Sequence, residues 1–264
     1  MKLPVALTVA GSDSGGGAGI QADLKTFAML GVHGTSAITA ITAQNTIAVT
    51  DIFELPAGIV VAQIDAIVSD FEVAAAKTGM LASSTIIEAV AASIEAHGIL
   101  KLVVDPVMIA KSGAKLLQDE AIHALRTRLL PLAAVVTPNL PEAEVILGRR
   151  IRTIDERREA ARDLVALGPR AAVVKGGHAD GDVTDVFWDG IDMVELPGVR
   201  VPTVNTHGSG CVFSAAIAAG LARGLEPLDT VRRAKEFIGA AIEHSLEIGH
   251  GHGPVNPIFR LKPE

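Results

Sequence analysis

Short β-branched runs alternate along this chain with longer Ala- and Leu-rich stretches of helical period. Continuous apolar runs closed by polar turns read as strands covered on both faces, because a strand with one wet face alternates instead. On that rule Val5–Ala10, Ser36–Thr42, Val73–Lys77, Leu102–Val104, Ala133–Val136 and Ala171–Lys175 are predicted strands. Between them the 3.6-residue period predicts helices near Gln21–Leu30, Gly58–Ser69, Thr85–Glu95, Ala114–Leu129 and Glu156–Ala166. Thr153 and Glu156 have capping-box spacing, which marks the start of the last of these. After Gly181 the pattern changes: Val183–Trp188 and Met193–Leu196, joined by Asp189-Gly190, read as an antiparallel hairpin. Two helices follow, roughly Cys211–Arg223 and Leu228–His244, then a tail broken by Gly and Pro.

Alternating β and α elements imply an α/β fold with a mainly parallel central sheet and helices on both faces. No linker, repeat or low-complexity tract interrupts residues 1–264, so one domain is expected. In such sheets ligands sit outside the carboxyl ends of the strands.

Composition narrows the function classes. A net charge of −7 with no Lys/Arg run argues against nucleic-acid binding, which needs a basic stripe. Aromatics are 3% of the chain, with no Tyr, so stacking on several rings is not the recognition device. One cysteine excludes an internal disulfide and fits a reducing cytoplasm. The apolar run Val5–Ala10 is too short for a signal peptide, and no stretch approaches a membrane span, so a soluble cytoplasmic protein is expected.

Five constellations fall at predicted strand ends. The first, Gly11-Ser-Asp-Ser-Gly-Gly-Gly-Ala-Gly19, follows strand one. It lacks the Lys-Ser/Thr of a Walker A loop and fits G-x-G-x-x-G poorly; it is either a flexible turn or a loop that lets a ligand approach the backbone. Asp23, one turn into the next helix, is placed to face the same cleft. The second is Thr39–Thr46, where Gln44 offers a donor and an acceptor on one planar group, matched to an aminopyrimidine or amide edge unless it is an ordinary loop residue. The third is Asn139-Leu-Pro-Glu142 with nearby Asp105: oxygens for a hard cation such as water-held Mg²⁺, or simply a Glu favouring a helix start. The fourth is Lys175-Gly-Gly-His178, whose Lys is either a phosphate contact or a solvated strand end.

The fifth, Asn205-Thr-His-Gly-Ser-Gly-Cys211, runs into an apolar helix. Successive N–H groups of a glycine turn and the helix N-terminus together form an anion nest suited to phosphoryl transfer. Cys211 at that terminus is expected to have a lowered thiol pKa and to accept a proton from a substrate hydroxyl, the alternative being a small buried hydrophobe. His244, His250 and His252 lack companion ligands and do not make a metal site.

Taken in order, Gly11–Asp23, Thr42–Thr46, Lys77-Thr-Gly-Met80, Asp105-Pro-Val-Met108, Asn139–Glu142, Lys175–His178 and Asn205–Cys211 resemble the hydroxymethylpyrimidine/phosphomethylpyrimidine kinases of thiamine biosynthesis, in the ribokinase-like superfamily. The resemblance covers essentially the whole chain. It implies a three-layer α/β/α ribokinase-like fold, usually a homodimer, and two successive ATP-dependent phosphorylations, of the hydroxymethyl group and then of the monophosphate. It implies that Gln44 binds the pyrimidine, with Gly11, Asp23 and Met80 lining the pocket. It further implies that Asn139 and Glu142, with Asp105, position Mg²⁺ and phosphates. Lys175 and Thr206 would meet ATP, and Gly208, Ser209, Gly210 and Cys211 would form the anion hole. Sugar kinases of the superfamily carry Asp where Cys211 stands, as pyrimidine kinases and some pyridoxal kinases do not. A pyridoxal kinase, or a non-catalytic binding protein on the same fold, is the competing reading.

Overall fold

The computed structural model describes residues 3–108, 119–177 and 183–261. Among these residues nine strands form one sheet in the order β3-β2-β1-β4-β5-β6-β7-β8-β9. They are β1 Val5–Asp13, β2 His33–Gln44, β3 Val49–Glu54, β4 Val73–Thr78, β5 Leu102–Val104, β6 Ala133–Val136, β7 Ala171–Val174, β8 Asp185–Trp188 and β9 Met193–Leu196. The six strands from β2 to β7 pair in parallel, while β3, β8 and β9 close the two edges antiparallel.

The helices are α1 Gly19–Met29, α2 Ala57–Val68, α3 Ser84–Ala96, α4 Asp119–Ala124, α5 Leu140–Leu147, α6 Ile154–Ala166, α7 Ser209–Ala222 and α8 Pro227–Glu243. A π-helical turn, Leu125–Leu129, continues α4. The predicted helix Ala114–Leu129 is thus present from Asp119 onward; its first residues lie outside those described, as does His178.

Successive strand residues point to opposite faces, and this period assigns each to one of two cores. Leu7, Val9, Val104, Val136 and Val174 pack on one side with Ile64 and Ile86 of α2 and α3 and Leu164 of α6. Ala6, Val103, Val135 and Val173 pack on the other with Phe27 of α1, Phe213 of α7 and Phe237 of α8. The sheet is therefore the middle of three layers, as the continuous apolar runs required. Helix α7 is buried from Val212 to Ala222, and its Ala-rich sequence is what permits burial on every side. A Cβ at Gly220 would come within 2.5 Å of Thr230 Cγ2, so that glycine lets α7 and α8 touch.

The predicted capping box at α6 is present: Thr153 Oγ1 accepts from Glu156 N–H and Glu156 Oε2 accepts from Thr153 N–H. A second one, unpredicted, starts α5. Asn139 Oδ1 accepts from Glu142 N–H at 2.9 Å and Glu142 Oε2 accepts from Asn139 N–H at 2.8 Å. Strand β3 was also not predicted, because it is the outermost strand and mostly exposed, and Val-Thr-Asp-Ile-Phe-Glu carries no clean alternation.

Candidate active site

The parallel strands β1, β2, β5, β6 and β7 deliver their carboxyl ends to one rim, where the suspected loops meet. Asp13 ends β1 and gathers the first glycine loop around its carboxylate. Oδ1 accepts from Gly15 N–H at 2.8 Å, and Oδ2 from Gly17 at 3.0 Å and Ala18 at 2.8 Å. Oδ2 also lies 2.8 Å from Nε2 of His207 in the second glycine turn. Burial works against ionisation of Asp13, but His207 and the N–H groups outweigh it and hold the carboxyl below its ordinary range.

The two glycine loops are in backbone contact. Gly208 has φ +78°, and a Cβ there would overlap Gly17 O. Only glycine meets both demands. This seam sets the start of α7, with Ser209, Gly210 and Cys211 in its first turn. Thr206 closes the turn: its carbonyl accepts from Ser209 N–H at 3.3 Å.

Cys211 is half-buried, with Gly19 N–H directed to its sulfur. The expected lowering of its pKa does not hold. Burial lifts the thiol to about 11; the Lys77 ammonium pulls down, while the Asp23 and Asp105 carboxylates push up. Desolvation within a cluster of buried charges outweighs one helix N-terminus. The resting side chain is a neutral thiol.

Asp23 also departs from expectation. It is fully buried and faces Lys77, not the open cleft: Lys77 Nζ donates to Oδ1 at 3.0 Å and Oδ2 at 2.8 Å, and Thr8 Oγ1 donates to Oδ2 at 2.6 Å. Burial alone would pull Lys77 down; the Asp23 carboxylate outweighs it and keeps the ammonium charged. The pair underlies Cys211 as a structural charge.

Lys175 and Asp105 pair at 3.2 Å next to Gly210, where a Cβ would stand 3.4 Å from Lys175 Nζ and 3.6 Å from Asp105 Oδ2. Ser214 Oγ donates to Asp105 Oδ2 at 3.1 Å, anchoring the carboxylate to α7. Glu142, buried nearby, is lifted to about 7 by burial, with Lys175 pulling down and Asp105 pushing up. Asn139 Oδ1 and Glu142 Oε2, expected to serve a cation, are engaged in the α5 cap. Among the described residues no group of three His, Cys, Asp or Glu side chains is placed to hold a metal ion.

At the other end of the seam, the half-buried Gln44 lies between Thr42 Oγ1 at 3.2 Å and His207 Nε2 at 3.3 Å. Gly11 backs onto Met80, whose Cε would be 2.5 Å from a Cβ at residue 11. The structure thus brings Lys175, Asp105, Glu142, Gly210 and Cys211 into one charged cluster, and Gln44 beside Gly208 through His207. Asp13, His207 and Lys77 stood inside the motifs without assigned roles. Their partners are 194 and 54 residues away, and no local spacing signals such pairs.

The phosphomethylpyrimidine kinase family model matches residues 13–256. The hydroxymethylpyrimidine/phosphomethylpyrimidine kinase of Haemophilus influenzae is 51% identical over 95% of both chains. Among solved structures, the phosphomethylpyrimidine kinase of Clostridium difficile aligns with a TM-score of 0.82 at 42% identity, covering 91% of this chain and all of that one. The pyridoxal kinase of Bacillus subtilis, solved with ADP, aligns with a TM-score of 0.89 at 40% identity over 97% of both. With that fold, those glycine loops and that extent of identity, the chain belongs to the phosphomethylpyrimidine kinase family.

Proposed function

We propose that the protein transfers the γ-phosphoryl group of ATP to the hydroxymethyl oxygen of 4-amino-5-hydroxymethyl-2-methylpyrimidine, and then phosphorylates the monophosphate, on the route to thiamine diphosphate. The observation that carries this is the seam of the two glycine loops, along which Gln44, Cys211 and Lys175 are ranged. Family membership supports the same reaction.

The division of labour follows from position. Gln44, with Gly11 and Met80, meets the pyrimidine; Asp23 supports this wall from within the core. Thr206 and Lys175 meet the phosphates, and the N–H groups of Gly208, Ser209, Gly210 and Cys211 face charge developing on the phosphoryl oxygens. The hydroxymethyl oxygen bonds to phosphorus as the bond to the bridging oxygen breaks and ADP leaves. Cys211 takes the hydroxyl proton, and the Lys77 charge is what favours its thiolate.

Asp105 and Glu142 suit a hard cation, since two buried carboxyl groups share the single charge of Lys175. Because the cap occupies Asn139 Oδ1 and Glu142 Oε2, these residues fit Mg²⁺ held mainly through water. When bound, Mg²⁺ supplies charge neutralisation at the phosphates.

Residues 1–264 act as one kinase domain in the cytoplasm, a location in keeping with the single cysteine. No helix among the described residues is long and apolar enough to cross a membrane. The edge hairpin exposes Ile41 and its cross-strand partner Phe53 on one face, with Ile47 in the connecting loop, and these exposed apolar side chains support a homodimer. The test is ADP release with hydroxymethylpyrimidine, pyridoxal and ribose as competing acceptors. Turnover should be greatest with the pyrimidine and should vanish with chelator; pyridoxal as the clearly better acceptor would overturn the assignment.

A further inference from the structure

Gln44 is useful for recognition only if its amide has one orientation, because a half-turn about its last bond exchanges donor and acceptor. The neighbours of Gln44 decide which. Asp13 Oδ2 accepts from two backbone N–H groups and lies 2.8 Å from His207 Nε2. A carboxylate with that environment is ionised and requires an N–H from the imidazole, so His207 Nε2 carries the proton. As placed, Gln44 Nε2 is 3.3 Å from that same nitrogen and Oε1 is 3.2 Å from Thr42 Oγ1, but the two ends of an amide are nearly alike in shape and are assigned from their partners. An amide NH₂ there would face another donor, whereas Oε1 there accepts from it, sharing the proton with Asp13. Exchanging the two ends of the amide then puts NH₂ at the position 3.2 Å from Thr42 Oγ1. Thr42 donates its own proton to Ser12 O at 2.9 Å, leaving a lone pair to accept. One orientation satisfies all four groups; the other leaves two donors opposed.

The imidazole has little freedom to do otherwise. His207 N–H donates to Gly253 O at 3.1 Å, and His207 O accepts from Val255 N–H at 3.0 Å. A Cβ at Gly17 would be 2.5 Å from His207 Cδ2, so the first glycine loop is shaped around the ring.

We propose that His207, held by Asp13, is a specificity-determining positioning residue: it locks Gln44 with Oε1 on the His207 side and NH₂ on the Thr42 side. Gln44 then presents one remaining lone pair and one remaining N–H to substrate in a fixed order. That order matches an N–C–NH₂ edge, a ring nitrogen accepting beside an amino group donating. It opposes the 4-oxo analogue, whose ring N–H and carbonyl reverse the two roles. This inference rests on the assignment of the pyrimidine to Gln44 in the proposed function.

The test compares wild type, His207→Leu and His207→Gln with hydroxymethylpyrimidine, its 4-oxo analogue and ATP. In His207→Leu the KM for the aminopyrimidine should rise about tenfold, the scale of one hydrogen bond. It should rise more than kcat falls, with the KM for ATP steady and discrimination against the oxo analogue narrowed. His207→Gln, which keeps an N–H, should recover most of the KM. Nitrogen-15 spectra of wild type should show the His207 proton on Nε2. An unchanged pyrimidine KM, equal losses for both substrates and ATP, or a bare Nε2 would overturn the lock while leaving the kinase assignment intact. A wild type inactive on the pyrimidine would overturn both.

Discussion

Removing one partner of the Lys77–Asp23 pair offers a test of how this site is built. Both side chains are fully buried, with Nζ 2.8 and 3.0 Å from the two carboxylate oxygens, and among the described residues Thr8 Oγ1 is the one other side chain that donates to Asp23. Lys77→Met keeps most of the side-chain volume and deletes the charge. Asp23 is then a buried carboxylate with one neutral hydrogen bond, and breaking such a pair costs about 3–5 kcal/mol. For a chain of this size that corresponds to a melting point lower by about 6–20 °C. The unpaired carboxyl would hold its proton in the folded state, so the loss should be smaller at pH 5 than at pH 8. The sign follows because a group whose folded pKa is raised contributes stability at low pH that disappears as pH rises. Urea and thermal unfolding followed by Trp188 fluorescence, at both pH values, measure this. The double variant Lys77→Met/Asp23→Leu, which removes both charges, should recover most of the stability. A single-variant loss below about 1 kcal/mol, the range of an exposed pair, would mean that the buried charge of Asp23 does not depend on Lys77. So would a double variant no better than the single.

Other expectations follow from the same geometry. Gly208→Ala combines a positive φ with overlap on Gly17 O, so kcat should fall at least about a hundredfold, the scale of one lost transition-state donor; wild-type rates would show that the seam does not shape the anion hole. Cys211, with its thiol near 11, should give a kcat that climbs as pH rises from 7 toward 10, and Cys211→Asp should flatten that climb. A flat profile in wild type, with Cys211→Ala nearly as fast, would remove the cysteine from proton transfer. Glu142, lifted to about 7, is protonated below that pH, so the Mg²⁺ concentration for half-maximal rate should rise on going from pH 8 to pH 6. Glu142→Gln should abolish that dependence, and an unchanged pH response in the variant would assign it elsewhere.

The sheet could be read in advance where its strands are buried on both faces, because an uninterrupted Ala-Ala-Val-Val at Ala133 or Ala171 has few other uses. It could not be read at β3, an edge strand whose side chains meet solvent. The site was legible as a set of glycine turns and polar residues at strand ends, since both are local. What escaped was everything that depends on the interior. Cys211 looked like a low-pKa thiol because the helix terminus is adjacent in sequence, whereas what raises it is burial together with the distant carboxylates of Asp23 on α1 and Asp105 after β5. Asn139 and Glu142 were recognised as oxygen donors, yet three-residue spacing fits a capping box equally well, and the fold uses it so. Asp13 and His207 meet only because the first and last glycine loops close on each other.

Phosphoryl transfer from ATP to the pyrimidine, and then to its phosphate, can be watched by phosphorus-31 NMR of the protein with hydroxymethylpyrimidine, excess ATP and Mg²⁺. A phosphomonoester resonance should appear first and give way to the coupled pair of a diphosphate ester as ADP accumulates. Accumulation of ADP with free inorganic phosphate and no phosphorylated pyrimidine would make the protein an ATPase and not a pyrimidine kinase.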